Sequence, residues 1–454
     1  MLNSVHDAFD VVVAGGGPSG VMAAIAAARN GARTMLIERY GFLGGMATNA
    51  LVGPLQSFHA GDEQVAVGLA QEMIDRLQAI GGTPGHVPDM VGFVPTVTPV
   101  DVEKMKYVLQ EMAEESDVFL QLHTVVTGAD VDKSGELKEL HLYNKSGHLR
   151  VKASVFIDCT GDGDVVAMAG VPYEKGRKSD GLAQPMTMMF RMGGVNFDSV
   201  RSYVKAHPEE FVLADDWESF PMVGISGFFS LVNQAKREKR LTIERDRVLL
   251  FELPAKGEVT VNMTRVIRHD ATDGQALSSA EVLGRRQVME VVEFLKSDIP
   301  GFENAELINC GTQIGVRESR RIVGKYILSG EDVVQGRKFD DVIARGSYPI
   351  DIHSPDGGDL DVIQMERGTS YDIPYRCVIN DSVHNLLVAG RCLSATHEAL
   401  ASARVTPTAM VVGQAVGIAA ALAVNEQCSP HDVDVKQLQA LICEQKGNLG
   451  VICQ

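Results

Sequence analysis

The feature that most constrains this chain is a six-residue run near its start, Gly15-Gly16-Gly17-Pro18-Ser19-Gly20. It lies between an apolar segment and an alanine-rich one. Asp10-Val11-Val12-Val13-Ala14 is short and β-branched, which predicts a buried parallel strand. Val21 to Asn30 predicts a helix, with Gly31 placed as its C-terminal glycine. Thr34 to Glu38 predicts a second buried strand. In the spacing G-x-G-x-x-G, Gly15 permits a tight turn, Gly17 lets a pyrophosphate approach the backbone, and Gly20 lets helix and strand pack closely. The helix start at Pro18 and Ser19 adds unpaired N–H groups and a partial positive charge. Glu38 follows Gly20 by 18 residues, near the roughly 20 expected for the acid that holds a ribose hydroxyl. A carboxylate there repels a 2′-phosphate, so the unit favours FAD or NAD over NADP.

Three later segments extend the pattern. Arg39-Tyr40-Gly41-Phe42-Leu43-Gly44-Gly45-Met46 is glycine-rich directly after the ribose acid, where NAD needs no glycines. A flavin dinucleotide is longer and must lie against bare backbone. Val155 to Asp158 predicts another buried strand, ending at Cys159-Thr160-Gly161-Asp162-Gly163-Asp164. Two carboxylates there, Asp162 and Asp164, are too few for a cation site. Near the end, Asn385 to Gly390 repeats the apolar strand and glycine. Arg391 follows it, and Pro407 takes a favoured first position in a small-residue helix from about Thr408 to Ala423.

These segments resemble FAD-dependent oxidoreductases of the glutathione-reductase-like fold. The resemblance spans nearly the whole chain and includes Arg317-Glu318-Ser319-Arg320-Arg321 and Tyr348-Pro349-Ile350-Asp351-Ile352-His353. Arg391 stands where the family usually has an aspartate. The resemblance implies FAD as cofactor, held by Gly15, Gly17, Pro18, Ser19, Gly20, Glu38, Arg39, Gly44, Gly45, Met46, Val126, Thr160, Gly161, Asp162, Gly390, Arg391, Pro407, Thr408 and Ala409. It implies an α/β fold: a Rossmann-like FAD-binding domain with a parallel sheet and a β-meander (118–157), plus an inserted mixed α+β substrate domain. The divisions fall at 1–170, 171–375 and 376–454. A long helix from Ser278 to Leu295 is expected inside the insertion.

For the chemistry, His397 is the candidate general base, because an imidazole titrates near neutral pH. The plainer role for it is a hydrogen-bonded histidine at a helix start. Arg317 and Arg404 are candidates to orient an anionic substrate or to stabilise reduced flavin, against the alternative of structural ion pairs. Cys392 has no sequence-near partner and reads as an inert buried thiol. The expected function is hydride transfer between a small molecule and flavin N5. One G-x-G-x-x-G implies one dinucleotide site, so the electron acceptor is external. The alternatives are an NAD-dependent dehydrogenase and a non-redox flavoprotein that uses FAD as a structural or sensing element.

Composition removes other classes. The net charge of −17 disfavours nucleic acid as a partner. Seven cysteines without a CxxC, and twelve scattered histidines, argue against a disulfide framework or a metal and favour a reducing, cytoplasmic setting. The first residues lack the basic start of a leader. Val411 to Val424 reads as a core helix too short to span a bilayer.

Overall fold

The computed structural model describes residues 9–356 and 360–453, so the reading of the first eight residues lies outside it. Strand β1 (Phe9–Ala14), helix α1 (Pro18–Arg29) and strand β2 (Thr34–Ile37) form where the sequence predicts them. β1 is the centre of a five-stranded parallel sheet. Its order is Leu386–Val388, Ala153–Asp158, β1, β2, Phe119–Gln121. A parallel sheet is covered on both faces, which is why Val11, Val12 and Val13 are all apolar and all fully buried. The last strand comes from residue 386 and pairs with one from residue 153, so the two ends of the chain build one Rossmann-like sheet.

The helix Thr406–Glu426 packs along α1. Their contact depends on small residues: a Cβ on Gly413 or Gly417 would fall on the backbone of Ser19 or Ala23. The helix is longer than expected, at 21 residues, and its mean hydropathy of 1.7 would suit a membrane span. Its apolar character is instead accounted for by packing, since 89% of its most apolar stretch is buried inside the protein. The antiparallel meander, Val125–Val131, Leu137–Asn144 and Gly147–Val151, leads directly into the strand Ala153–Asp158.

A second sheet is antiparallel, in the order Gly224–Gly227, Val248–Glu252, Val259–Val261, Phe190–Gly193, Glu306–Cys310. The helix Gly274–Asp298, about a turn longer at each end than expected, lays Val288, Val291, Phe294 and Leu295 into the same core. That core draws on Met90 and on residues 186–316. Ile322 and nearly all the buried apolar residues after it join the first core, Tyr348 packing instead with Val87, Val94 and Val97, although the sequence expects the insertion to run on to 375. One disulfide, Cys443–Cys453, pins the last described turn to the helix Val435–Glu444. The cysteine spacing gave no sign of it, because that pairing is set by a local turn.

Candidate functional site

The three motif glycines meet three different physical needs. Gly15 has φ +100°, and a Cβ there would run into Cys159 and Thr160, just past the end of the neighbouring strand. Gly20 has no room because it packs against the Gly15 carbonyl. Gly17 caps α1, and a Cβ there would reach nothing nearer than the Gly45 Cα, 3.9 Å away. The open space at the helix end is thus kept by the second glycine, where a pyrophosphate would take the unpaired N–H groups.

Glu38 directly follows β2, with 6% of its surface exposed. Its Oε2 accepts from the Gly16 N–H (2.7 Å) and its Oε1 from the Tyr40 N–H (2.9 Å). Burial pushes its pKa up, and these two N–H donors act the other way. Each carboxylate oxygen keeps a second lone pair. The next residues are anchored to the inserted unit: Arg39 Nη2 donates to Gln313 Oε1 (2.6 Å), and the Tyr40 hydroxyl donates to the same oxygen. Gln313 was not anticipated, since nothing local in sequence marks a contact 274 residues away. Arg391 is answered by Asp162 at 2.9 Å. Gly161 lies flat against that guanidinium, with φ +79°.

A cavity of about 650 Å³ joins these parts. Of the residues expected to hold cofactor, Gly15, Gly17, Pro18, Ser19, Glu38, Arg39, Gly45, Met46, Thr160, Gly161, Gly390, Arg391 and Ala409 line it. Gly20, Gly44, Asp162, Pro407 and Thr408 are not in its wall. Val126 sits in the meander, paired with Leu142. Arg317 and Arg404 line the cavity; His397 does not.

The sequence profile of the FAD dependent oxidoreductase family matches residues 10–442. The chain belongs to that family. Solved structures similar to it include a geranylgeranyl bacteriochlorophyll reductase-like protein from Thermoplasma acidophilum (14% identity, 97% of this chain and 84% of that one, TM-score 0.48). Another is p-nitrophenol 4-monooxygenase from Pseudomonas putida DLL-E4 (13%, 94% and 83%, TM-score 0.49). A third is L-proline dehydrogenase from P. horikoshii (12%, 97% and 99%, TM-score 0.47).

The cavity of this FAD dependent oxidoreductase fits its cofactor. The bare helix end at Gly17 and the carboxylate of Glu38 face one space. Among the described residues, the buried Asn49 Oδ1 and Arg391 Nε in that wall have no protein partner.

Tyr348, Asp351 and His353 line the same cavity, each more than nine-tenths buried. His353 Nε2 lies 3.3 Å from Asp351 Oδ2, and the Tyr348 hydroxyl donates to that oxygen at 3.4 Å. Burial pushes Asp351 up, but His353, Arg404 and Arg317 outweigh it and hold the carboxyl below its usual range. Burial, with Arg317 next, lowers His353 to about 3, so its ring is neutral at working pH. Burial also pushes the Tyr348 phenol well up. His353 closes the Tyr348–His353 segment quoted from the sequence, where His397 is the histidine given a role. Tyr348 and Asp351 lay unassigned inside the motif quoted around it.

His397 opens the helix His397–Ala403, 4% exposed. Its Nδ1 is 2.8 Å from Glu318, a carboxylate that also pairs with Arg321 and accepts from the Gln184 N–H. Arg321 in turn donates to the Ala395 and Gly176 carbonyls. The Arg317–Arg321 segment thus carries a buried ionic knot that fixes the helix start. Burial raises the Cys392 thiol well above its usual value, and its sulfur accepts from the Gly163 N–H. Both observations suit an inert cysteine.

Proposed function

We propose that this chain moves a hydride between a small-molecule substrate and flavin N5, with the matching proton handled by the Tyr348–Asp351–His353 cluster and the electrons passed to an external acceptor. The single observation that carries this reading is the shared cavity. The glycine turn, Glu38, Arg391 and the Tyr348–Asp351–His353 cluster all open onto it. Bound FAD supplies the two-electron chemistry, and the protein supplies position, charge and proton transfer.

Asp351 stays ionised and accepts from Tyr348, so the phenol is held protonated and its oxygen aimed. A substrate hydroxyl or amine placed against Tyr348 would give its proton to the phenol oxygen as the phenol gives its own to Asp351 Oδ2, with His353 beside that carboxylate. Arg317 is fixed by the Pro185 carbonyl (2.7 Å) and Thr187 Oγ1 (2.6 Å), and Arg404 by Gln184 Oε1 (3.2 Å). Both guanidiniums are positioned before substrate arrives, and positive charge set in advance stabilises charge that develops during reaction. The inserted unit contributes Thr187, Arg245, Arg265 and Arg317 to the wall, which is the support for reading it as the substrate domain.

Anaerobic mixing of the yellow protein with a panel of metabolites tests the reading. Loss of the roughly 450 nm flavin band with one substrate class is expected. A protein that binds FAD and is bleached by none would be a scaffold, not an oxidoreductase.

A further inference from the structure

The inserted sheet breaks the alternation expected of an antiparallel strand with one face in water. Val248, Leu249, Leu250 and Phe251 are apolar in succession. Val248 and Leu250 are fully buried and join Ile225 and Val261 in the core of the inserted unit. Leu249 and Phe251 belong to the other face, and that face is a wall of the cavity. Ser226 pairs with Leu249 on one side, and the Asn262 N–H donates to the Leu249 carbonyl on the other. Both line the same wall, so the apolar strip is one strand wide.

A loop continues the strip toward the reacting groups. The Asp89 carboxylate accepts from the N–H groups of Val91 (3.1 Å), Phe93 (2.8 Å) and Val94 (3.1 Å), which fixes the turn 89–94. The turn docks on the inserted unit. The Ala214 N–H donates to the Met90 carbonyl (3.0 Å), and a Cβ on Gly224 would touch the Phe251 ring at 3.2 Å and the Met90 Cβ at 3.6 Å. Val91 and Phe93 line the cavity from the turn. Val212, whose N–H donates to the Ser226 carbonyl, lines it from the inserted unit. The Phe93 ring stands edge-on to that of Tyr348, with centroids 5.6 Å apart. The apolar wall thus runs from the strand Val248–Glu252 to the Tyr348 phenol. Val212 is exposed, and Phe93 and Leu249 are half-buried, so this wall is open to the cavity. None of these residues lies in the segments that resemble FAD-holding ones.

We propose that the substrate carries its reacting hydroxyl or amine on an apolar body, which lies along Leu249, Phe251 and Val212 and against the Val91–Phe93 turn. This rests on the reading of the Tyr348–Asp351–His353 cluster as the proton-transfer site and narrows its substrate class. Covering apolar surface that would otherwise face water favours binding in proportion to the area covered. A polyol body would lose water from its hydroxyls against side chains that offer them no hydrogen bond. The turn is held by Asp89 before substrate arrives, so the wall needs no ordering on binding.

The test is an anaerobic titration of FAD-loaded protein with ethanol, butanol, hexanol and sorbitol, a polyol of the same carbon count as hexanol. The flavin spectrum and the FAD content are read on the same samples. The spectrum should shift saturably, with affinity rising about two- to fourfold for each added CH₂, and sorbitol should bind at least about tenfold more weakly than hexanol. Leu249→Thr should weaken hexanol about tenfold and ethanol less than about twofold, with FAD content unchanged. If Leu249→Thr does not fold, Val212→Thr, at an exposed position, reads the same effect. No saturable shift, no rise along the series, sorbitol binding as well as hexanol, or a rise that neither variant flattens overturns the assignment. Loss of FAD from a folded variant overturns it too, because the strip would then hold cofactor. Bleaching by polyols without a rise along the alcohols would keep the redox reading and remove this one. A rise without bleaching by any alcohol or amine would keep the apolar site and remove the redox reading.

Discussion

His353 Nε2 lies 3.3 Å from Asp351 Oδ2, with the imidazole neutral and the carboxylate charged. Burial is the main cause. Repulsion from Arg317 and Arg245 adds to it, and the attraction of Asp351 only partly offsets it. The folded-state pKa, about 3, is below the roughly 6.5 of an unfolded chain. Between those values the unfolded chain binds the proton and the folded one does not. Stability is therefore full above about pH 6.5 and falls as pH drops toward 3, by up to about 1.4 kcal/mol per pH unit. Urea unfolding at pH 6.5 and pH 5 should show the wild type losing about 2 kcal/mol more than His353→Gln. Equal losses would mean that the ring is not held neutral.

The two candidate histidines separate by what each touches. His353 faces the cavity, and His397 faces Glu318 behind its wall. His353→Ala should slow flavin reduction by substrate about 10²- to 10⁴-fold, the range for losing a proton-transfer group or the partner that orients it. His397→Ala should leave that rate within about tenfold and instead lower the melting temperature, because a fully buried carboxylate loses one of its partners. Stopped-flow reduction and thermal melts on both variants decide. A rate collapse confined to His397→Ala would return the base to the position the sequence favoured.

Gly17 is the glycine whose missing side chain leaves open space, not a close contact. Gly17→Leu should therefore fold and fail to hold FAD, since the branched side chain would fill the ground in front of the α1 N-terminus. Gly20→Leu should not fold properly, because that side chain would meet the Gly15 carbonyl inside the sheet–helix contact. Flavin content and circular dichroism distinguish the two. Full FAD occupancy in Gly17→Leu would contradict the placement of the pyrophosphate.

What was legible in the sequence followed short-range rules. Val11 to Val13 announce a buried strand, Gly15, Gly17 and Gly20 a tight turn into a helix, and Glu38 a carboxylate just past the second strand, because each depends on neighbours within one strand–helix–strand unit. The substrate end was not legible. Arg245 precedes and Arg265 follows two paired strands, Val248–Glu252 and Val259–Val261, that carry no motif, and they share a cavity wall with Arg404 only after the chain folds back. Gln313 holds Arg39 and Tyr40 across 274 and 273 residues. His397 has the right chemistry and a position near the cofactor segment, but the helix it opens turns its ring toward Glu318. Sequence proximity cannot show which face of a helix start points to a cavity.

Glu38 provides the last test. Its two oxygens already take the Gly16 and Tyr40 N–H groups, which fix the carboxylate in one orientation before cofactor arrives. Their remaining lone pairs suit two ribose hydroxyls. Charged-acceptor hydrogen bonds contribute about 1.5–3 kcal/mol, or roughly ten- to a hundredfold in affinity. Glu38→Ala should weaken FAD binding to deflavinated protein by that factor and leave the reduction rate at saturating FAD unchanged, because the change is remote from the substrate cluster. It should also cost stability without ligand, since two buried N–H groups lose their acceptor. Glu38→Gln keeps one acceptor oxygen and turns its amide toward the other N–H, so its affinity should lie between the two. Fluorescence titration with FAD reads the affinity, and urea unfolding of the apoprotein reads the second effect. Unchanged FAD affinity in Glu38→Ala would show that the carboxylate serves the turn alone and that the ribose is held elsewhere.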